Sequence, residues 1–332
     1  MQKPSRVRDL GIVPGTLPTG SLNAMTDVPG VRVGHTTIDD GAELHTGVTA
    51  IVPDGFAAGL PAAVAVGNGY GKLVGSTQVA ELGVVETPIL LTGTLSVFRV
   101  ADALISWLLD RDPSATSLNP VVGETNDGFL SDIRRRPITE QHVFDALTSA
   151  ATDLPAEGCV GAGTGTAALG FKAGIGTSSR LVPGDGATVG ALVQSNFSGV
   201  LRVLGTPIPA EESLGTPGGN SCMIVVATDL RVDARQLGRL ARRAIFTLGL
   251  VGSDYAPGSG DYAIAFATGS QRPPVAEREL RTVFQAVMES VEEALLNSLT
   301  MAHTVTGFRG NTRHAVPHDY LLSRLHTARV NG

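Results

Sequence analysis

The sequence contains few cysteines, few charged residues and no long hydrophobic run. Only two of its 332 residues are cysteines, Cys159 and Cys222, which excludes both a disulfide framework and a four-thiolate zinc site. Charged residues make up 17%, and the net charge of −6 provides no basic field for gripping phosphate backbones. No window approaches the ~20 consecutive apolar residues of a membrane span. A nucleic-acid-binding protein and a membrane protein are therefore both disfavoured.

The same features bear on the compartment. Two free thiols suit a reducing environment. The first residues include Lys3, Arg6 and Arg8 but no apolar segment of the kind that a secretory signal requires. We therefore expect a cytoplasmic, soluble protein.

Glycine is abundant, and it punctuates short apolar runs. There are 41 glycines in 332 residues, about 12% against a usual ~7%. Several runs are apolar throughout, which indicates strands covered on both faces. The predicted strands are 48–52, 62–66, 88–91, 189–194, 200–204, 223–228 and 262–267.

Helices are predicted between these strands. Asp233 and Gln236 form a capping box before an amphipathic segment that ends near Leu248, and a longer helix is predicted at about 276–299. Thr139 is predicted to cap a third helix. The stretch 95–109 is apolar almost all round, so we expect it to be fully buried. Strands and helices do not alternate strictly, which argues against a simple doubly wound fold and for sheets covered by helices.

Most familiar catalytic motifs are absent. The sequence has no G-x-S-x-G elbow, no S-x-x-K, no P-loop and no H-E-x-x-H. The glycines of 161–165 invite a dinucleotide-binding interpretation, with Asp185 about 20 residues on. However, Gly170, Gly174 and Gly176 interrupt the helix that should receive the pyrophosphate. A tight loop where two backbones approach closely is the alternative that we favour.

Ser221 stands out because a Pro/Gly-rich segment, 206–220, runs directly into it and a very apolar strand follows. If the bond between Asn220 and Ser221 broke, Ser221 would gain an α-amino group with a pKa of ~7.7–8.0. Such an amine can act as general base for its own hydroxyl, so no histidine or lysine is needed. The other interpretation is an ordinary serine at the start of a strand.

At this point a resemblance covers nearly the whole chain. The sequence resembles the DmpA/BapA-type aminopeptidases, also described as L-aminopeptidase/D-esterases and β-peptidyl aminopeptidases. The matching segments are 18–37, 46–49, 68–75, 81–83, 88–94, 161–165, 171–180, 192–197, 220–221, 227–229 and 259–261. So many ordered matches are far more specific than any one motif.

The resemblance implies a fold and a maturation step. The implied fold is of the α/β (α+β) class, a four-layer αββα sandwich of the type shared with ornithine acetyltransferases. A single domain, 1–332, is expected to cleave itself between Asn220 and Ser221 into chains 1–220 and 221–332, which stay associated and assemble into homo-oligomers. The implied reaction is hydrolysis of the amide or ester that follows an N-terminal amino acid, without any cofactor or metal.

The resemblance also implies residue roles. Ser221 matches the nucleophile, and Asn196 matches the residue whose side-chain amide stabilises the oxyanion. Ser259 and Asp261 match a polar pair near the nucleophile's amine. Glu124 matches an acidic residue that binds the free amino group of the substrate. Ordinary structural roles are the alternatives. Asn196 could close a turn, Ser259 and Asp261 could belong to a Gly-Ser-Gly-Asp turn, and Glu124 could be a solvated carboxylate in a loop.

Two departures from the family pattern put substrate preference in doubt. The position that often holds an aromatic is filled by Asn126, with Phe129 close by in sequence as a candidate replacement. Gly93 stands where Asn is common. Lys172 is a further candidate pocket residue, although a lone lysine ordinarily extends its ammonium to solvent.

Two other functions stay open at this stage. The same acyl-enzyme could be resolved by an amine, which would make the protein an acyltransferase. Alternatively, an uncleaved, non-catalytic relative could bind a nucleotide through 161–165. The leading hypothesis remains a self-processing serine aminopeptidase that acts on short peptides, amides or esters.

Overall fold

The computed structural model describes residues 2–184, 186–210 and 221–331. Its strands are β1 (Val31–Asp39), β2 (His45–Pro53), β3 (Leu60–Gly69), β4 (Leu73–Val74), β5 (Val84–Val85), β6 (Ile89–Gly93), β7 (Val121–Thr125), β8 (Ala167–Ala168), β9 (Phe171–Lys172), β10 (Ile175–Leu181), β11 (Thr188–Asn196), β12 (Arg202–Val203), β13 (Thr206–Pro207), β14 (Ser221–Thr228), β15 (Gly260–Ala267), β16 (Val305–Thr306) and β17 (Thr312–Arg313). Its α-helices are α1 (Ser76–Leu82), α2 (Val97–Leu109), α3 (Glu140–Thr148), α4 (Ala234–Leu250), α5 (Leu280–Thr300) and α6 (His318–Asn331). Within these residues, no helix has the length and apolar character to span a bilayer.

Two large sheets form the centre of the molecule. One has five strands in the order β1-β2-β6-β7-β4, and the other has six in the order β10-β11-β14-β15-β3-β5. The pairs β6/β7 and β14/β15 are parallel, while the other neighbours in both sheets are antiparallel. Mixed sheets of this kind do not arise from a simple repeat of strand and helix.

Three hydrophobic cores separate four layers. The facing sides of the two sheets bury residues such as Leu91 and Val225 against each other. The outer side of the five-stranded sheet packs on α2 and α3, for example through Leu104. The outer side of the six-stranded sheet packs on α4 and α5, for example through Leu240 and Val287. The αββα sandwich predicted from the resemblance is confirmed.

Most sequence predictions of elements are confirmed. Strands β2, β11, β14 and β15 are buried along their whole length, as apolar runs covered on both faces should be. Asp233 accepts the Gln236 N–H and so caps α4, and Thr139 is the N-cap of α3. The sequence reading missed β1, β7 and β10, in which polar residues interrupt the apolar pattern.

Two predictions were wrong. The predicted strand 200–204 is reduced to the two residues of β12, because this segment turns back at once to pair with β13. The stretch 95–109 is not buried all round. Leu104 and Trp107 lie in the core, but Phe98 is 66% exposed, so α2 has an ordinary amphipathic face.

The glycine-rich segment 161–165 forms a close approach of backbones. A Cβ on Gly163 would lie 2.4 Å from the Ile175 nitrogen, and one on Gly165 would lie 2.1 Å from the His45 carbonyl oxygen. The 3-10 turn Gly161–Gly163 leads into β8 and not into a helix that could receive a pyrophosphate. This geometry supports the structural interpretation of these glycines.

Candidate active site

Ser221 is the first residue of β14, in the middle of the six-stranded sheet. It pairs with Asn196 of antiparallel β11 on one side and with Gly260 of parallel β15 on the other. Its side chain is buried, and the Gly260 N–H donates to Ser221 Oγ at 3.3 Å. Since Met223 and Val225 lie in the core between the sheets, Ser221 belongs to the inner face of β14. Asn220, the other half of the predicted cleavage site, lies outside the described residues.

Asn196 ends β11 directly opposite Ser221. Its Oδ1 accepts a hydrogen bond from the Ala167 N–H at 3.1 Å, which fixes the orientation of the side-chain amide. Its Nδ2 is buried and finds no acceptor within the part of the chain that the structure describes. The amide therefore presents a donor with unused hydrogen-bonding capacity next to Ser221.

Ser259 and Asp261 flank Gly260 on the neighbouring strand. Ser259 Oγ donates to Asp261 Oδ1 at 2.7 Å, and Asn68 Nδ2 donates to Asp261 Oδ2 at 3.0 Å. Burial raises the pKa of Asp261, and the hydrogen bonds from Ser259 and Asn68 oppose that rise. Ala263 and Ala265, at the same parity along β15, face the helices, so Asp261 lies on the outer side of the sheet.

Glu124 lies in β7 and not in a solvated loop, which corrects that alternative. It is only 2% exposed. Its Oε1 accepts the Lys72 N–H at 3.0 Å and lies 3.4 Å from Lys72 Nζ. Its Oε2 is buried and has no hydrogen-bond partner among residues 2–184, 186–210 and 221–331. A buried carboxylate oxygen without a donor is costly, so this atom is poised to accept one from a ligand.

The end of β3 and the turn that leads to β4 join these two parts of the site. Asn68 holds Asp261, the Tyr70 N–H donates to the Ser259 carbonyl at 3.0 Å, and Lys72 contacts Glu124. A Cβ on Gly71 would lie 3.2 Å from Glu124 Oε1 and 3.3 Å from the Gly260 Cα. Glu124 and the strand beside Ser221 therefore converge on this turn. Segment 68–75 is among those that carry the family resemblance, but no sequence pattern predicted a role for Asn68 or Lys72.

Asn126 and Phe129 lie in the turn that follows Glu124. Asn126 is exposed, and its Oδ1 accepts the Gly128 N–H at 2.9 Å. The Phe129 ring lies under the Arg313 guanidinium, whose carbon is 3.6 Å from the ring centroid. Neither of these contacts involves Ser221, Asn196 or Glu124, and the contribution of Asn126 and Phe129 to a substrate pocket remains a prediction.

Lys172 does not extend to solvent, contrary to the ordinary behaviour of a lone lysine. It is fully buried, and its Nζ donates to the Gly163 carbonyl at 3.2 Å and also to the Ala173 carbonyl. Burial lowers the pKa of Lys172, and the interaction with nearby Cys159 opposes this effect. Lys172 pairs in register with Ala167, the residue that orients Asn196. Lys172 therefore lies next to the strand residue that orients Asn196.

Comparisons with known proteins decide the family. The sequence model of peptidase family S58 matches residues 23–313. The chain belongs to peptidase family S58. It is 40% identical to the β-peptidyl aminopeptidase BapA of Sphingosinicella xenopeptidilytica over 98% of this chain and 91% of that protein. The corresponding protein of Sphingosinicella microcystinivorans is 37% identical, over 96% and 91% of the two chains.

A solved structure agrees with this assignment. The L-aminopeptidase D-Ala-esterase/amidase of Ochrobactrum anthropi, described as a variant of the Ntn hydrolase fold, superposes with a TM-score of 0.91. The identity is 37%, and the match covers 98% of this chain and 99% of that one. The resemblance stated from the sequence is thereby confirmed, and the S58 protein described here is an aminopeptidase, hence a hydrolase.

One buried acidic residue of this S58 aminopeptidase was not predicted from the sequence. Asp127, three residues after Glu124, is 1% exposed, and burial raises its pKa to about 6, against the opposing effect of a hydrogen bond from the Thr46 side chain. Glu124 raises the pKa further, whereas Lys172 lowers it. An aspartate before a glycine is also a common turn residue, so the sequence alone carried no signal of burial.

Proposed function

We propose that the protein is a self-processing serine aminopeptidase in which Ser221 is an N-terminal nucleophile. The observation that carries this proposal is the pairing of Ser221 with Asn196, whose orientation is fixed and whose Nδ2 is an unused donor. Hydroxyl and donor lie at the same end of adjacent strands and on the same face. This is the arrangement that acyl transfer needs.

Maturation would break the bond between Asn220 and Ser221 and release the α-amino group of Ser221. The two products, 1–220 and 221–332, are expected to stay together. In the six-stranded sheet, β14 and β15 of the second product lie between β11 and β3 of the first. Separation would therefore break two ladders of backbone hydrogen bonds and expose two cores.

The chemical step then follows from the side chains. The free amine takes the proton of Ser221 Oγ as this oxygen attacks the substrate carbonyl. Asn196 Nδ2 donates to the developing oxyanion, a contribution of ~3–4 kcal/mol where such a donor is preorganised. As the tetrahedral intermediate collapses, the C–N or C–O bond breaks and the α-ammonium group gives its proton to the departing amine or alcohol. The acyl-enzyme that remains is hydrolysed by water. Asp261 lies on the opposite side of the sheet from the Ser221 side chain, so we assign it and Ser259 to orienting the amine and not the hydroxyl.

Glu124 is proposed to bind the substrate's ammonium group. Its Oε1 is already held by Lys72, while Oε2 is buried and unused among the described residues. An ammonium satisfies that oxygen, whereas a blocked N-terminus leaves it unpaired. The substrates are therefore N-terminal aminoacyl amides, esters or short peptides. Because two relatives are named β-peptidyl aminopeptidases, β-aminoacyl substrates belong in the first screen.

The remaining expectations are also kept as proposals. We expect homo-oligomers of the cleaved pair and a cytoplasmic location, in keeping with two free thiols. Asn126, Phe129 and Lys172 are proposed as lining or supporting residues of the substrate pocket. Neither a cofactor nor nucleic acid enters the proposed reaction.

Intact mass under denaturing conditions tests the proposal. The wild-type protein should give two species that divide between Asn220 and Ser221, and Ser221→Ala should give one species and no hydrolysis of aminoacyl p-nitroanilides. Ser323→Ala, on the exposed face of α6, is the matched control and should mature and act like the wild type. A Ser221→Ala variant that is still processed and still hydrolyses the anilide would overturn the proposal.

A further inference from the structure

A small, water-sized cavity lies in the part of the molecule that follows Glu124 and has no role in the mechanism above. Its polar walls are Thr46, Ser96, Ser131 and Asp127, and Gly93 forms part of its floor. Leucine, isoleucine and proline side chains complete it. The free space admits a group about the size of a water molecule, so the cavity can take one head group and not a whole residue.

Asp127 supplies an unused acceptor in this cavity. Its side chain is 1% exposed, and Oδ2 has no hydrogen-bond partner anywhere in the described ranges. Oδ2 lies 2.6 Å from the position that a Cβ of Gly93 would take. The carboxyl thus occupies the space that the glycine leaves open. Lys172, the nearby cation, is bonded to the Gly163 carbonyl and does not supply this oxygen with a donor.

The cavity is close to Glu124. Gly93 pairs in register with Thr125, the residue after Glu124, and Thr92 pairs with Glu124 itself. Asp127 is three positions after Glu124 in the chain, so their Cα atoms are at most ~11 Å apart. Asp127 also lies against Gly165, two residues before Ala167, which orients Asn196. Asp127 therefore lies near both the residue proposed to bind the substrate's ammonium group and the segment that orients Asn196.

We propose that the cavity between Gly93 and Asp127 is a side-chain subsite for the substrate's N-terminal residue, and that it selects a short side chain ending in one hydrogen-bond donor, a hydroxyl or an ammonium. This rests on the proposed function, because it takes Glu124 and Ser221 as the fixed points of the substrate. Burial of Asp127 explains the selectivity. An apolar chain end that fills the cavity leaves Oδ2 unpaired, whereas a donor satisfies it.

Isosteric pairs of aminoacyl p-nitroanilides test the subsite. Serine is compared with 2-aminobutyrate, and homoserine and 2,4-diaminobutyrate are each compared with norvaline. The wild-type protein should prefer a polar member of at least one pair by about tenfold or more in kcat/KM. Asp127→Leu, which keeps the branched shape of the side chain and removes both acceptors, should abolish or reverse that preference. Gly93→Ala, which pushes into the carboxyl, should weaken it.

Controls separate the possible outcomes. Glu140→Gln, at an exposed carboxylate of α3, should keep the wild-type ratio. If Asp127→Leu does not mature, the ratio of kcat/KM between the polar and the apolar member of each pair is measured for Asp127→Asn instead, and it should fall below the wild-type ratio. A wild-type enzyme that cleaves both members of every pair equally, or a preference that survives in the Asp127 variant, means that the cavity holds water only and overturns the subsite. A wild-type enzyme that cleaves no member of any pair contradicts the proposed function instead.

Discussion

Asn196 and Ser221 lie directly opposite each other on antiparallel strands, and the Asn196 side chain is locked by a 3.1 Å hydrogen bond from Ala167. The lock matters because an amide can present either its oxygen or its nitrogen. With Oδ1 taken by Ala167, only Nδ2 remains free to meet a charge that develops beside Ser221. The proposed oxyanion donor is therefore oriented before any substrate arrives.

Replacement of Asn196 should mainly lower kcat. Asn196→Ala removes the donor, and we expect a loss of about 10²–10³ in kcat with a much smaller change in KM, because the interaction forms chiefly in the transition state. Asn196→Asp keeps the acceptor for Ala167 but replaces the donor with a negative oxygen, so it should be at least as slow. Steady-state kinetics on one aminoacyl p-nitroanilide check this. A higher KM with an unchanged kcat in either variant would contradict the prediction.

Removal of Asn68 should shift the pH profile. The Asn68 amide donates to Asp261 and so favours its ionised form. In Asn68→Ala the pKa of Asp261, already raised by burial, should rise further. If ionised Asp261 orients the amine, the acidic limb of the kcat/KM profile moves to higher pH. Tyr70→Phe is the control, since Tyr70 is 76% exposed and the substitution keeps its backbone hydrogen bond to Ser259. If the acidic limb of the kcat/KM profile stays in place in Asn68→Ala, the ionised form of Asp261 is not required for the reaction.

The two thiols should differ sharply in reactivity. Burial disfavours the Cys159 thiolate, but Lys172 and His303 outweigh it and lower the pKa of Cys159 to about 7. Burial raises the pKa of Cys222 well above its usual value. Alkylation by iodoacetamide, followed by mass spectrometry, should therefore modify Cys159 with a midpoint near pH 7 and spare Cys222. Lys172→Met should move the midpoint upward, whereas Lys3→Met should not. A common midpoint in all three proteins would refute the role of Lys172.

The buried ion pairs of Arg180 should contribute strongly to stability. This residue is fully buried, with Nη2 at 2.7 Å from Glu293 Oε2 and Nε at 3.2 Å from Glu289 Oε2. Arg180→Met leaves Glu289 without its cation and Glu293 with Arg8 alone, and removal of one partner from a buried pair typically costs about 3–5 kcal/mol. Arg32→Met breaks the exposed pair with Asp54 and should cost less than about 1 kcal/mol. Urea denaturation compares the two variants, and similar midpoints would show that the buried network is not stabilising.

The local sequence pattern was sufficient to predict those elements whose structure depends on residues close in sequence. The capping residues Asp233 and Thr139 and the apolar runs of β2, β11, β14 and β15 were recognisable because caps and strand burial leave a short-range signature. Polar residues hid β7 and β10 because buried polar side chains are satisfied by distant partners. For example, Gln194 Nε2 donates to Thr125 Oγ1, 69 residues away.

The sequence by itself determined the family, because ordered motifs along the chain carry the resemblance, and the four-layer fold followed from that resemblance. The apolar run after Ser221 marked a buried strand, because burial on both faces leaves a local pattern. Only the tertiary structure decided how the site is held. Asn68 reaches Asp261 across 193 residues, and Glu124 is buried against the turn that carries Lys72. It also placed Asp127 over Gly93 and buried Lys172. Such contacts form where strands distant in sequence become neighbours, and no local pattern records which buried polar atoms will then lack a partner.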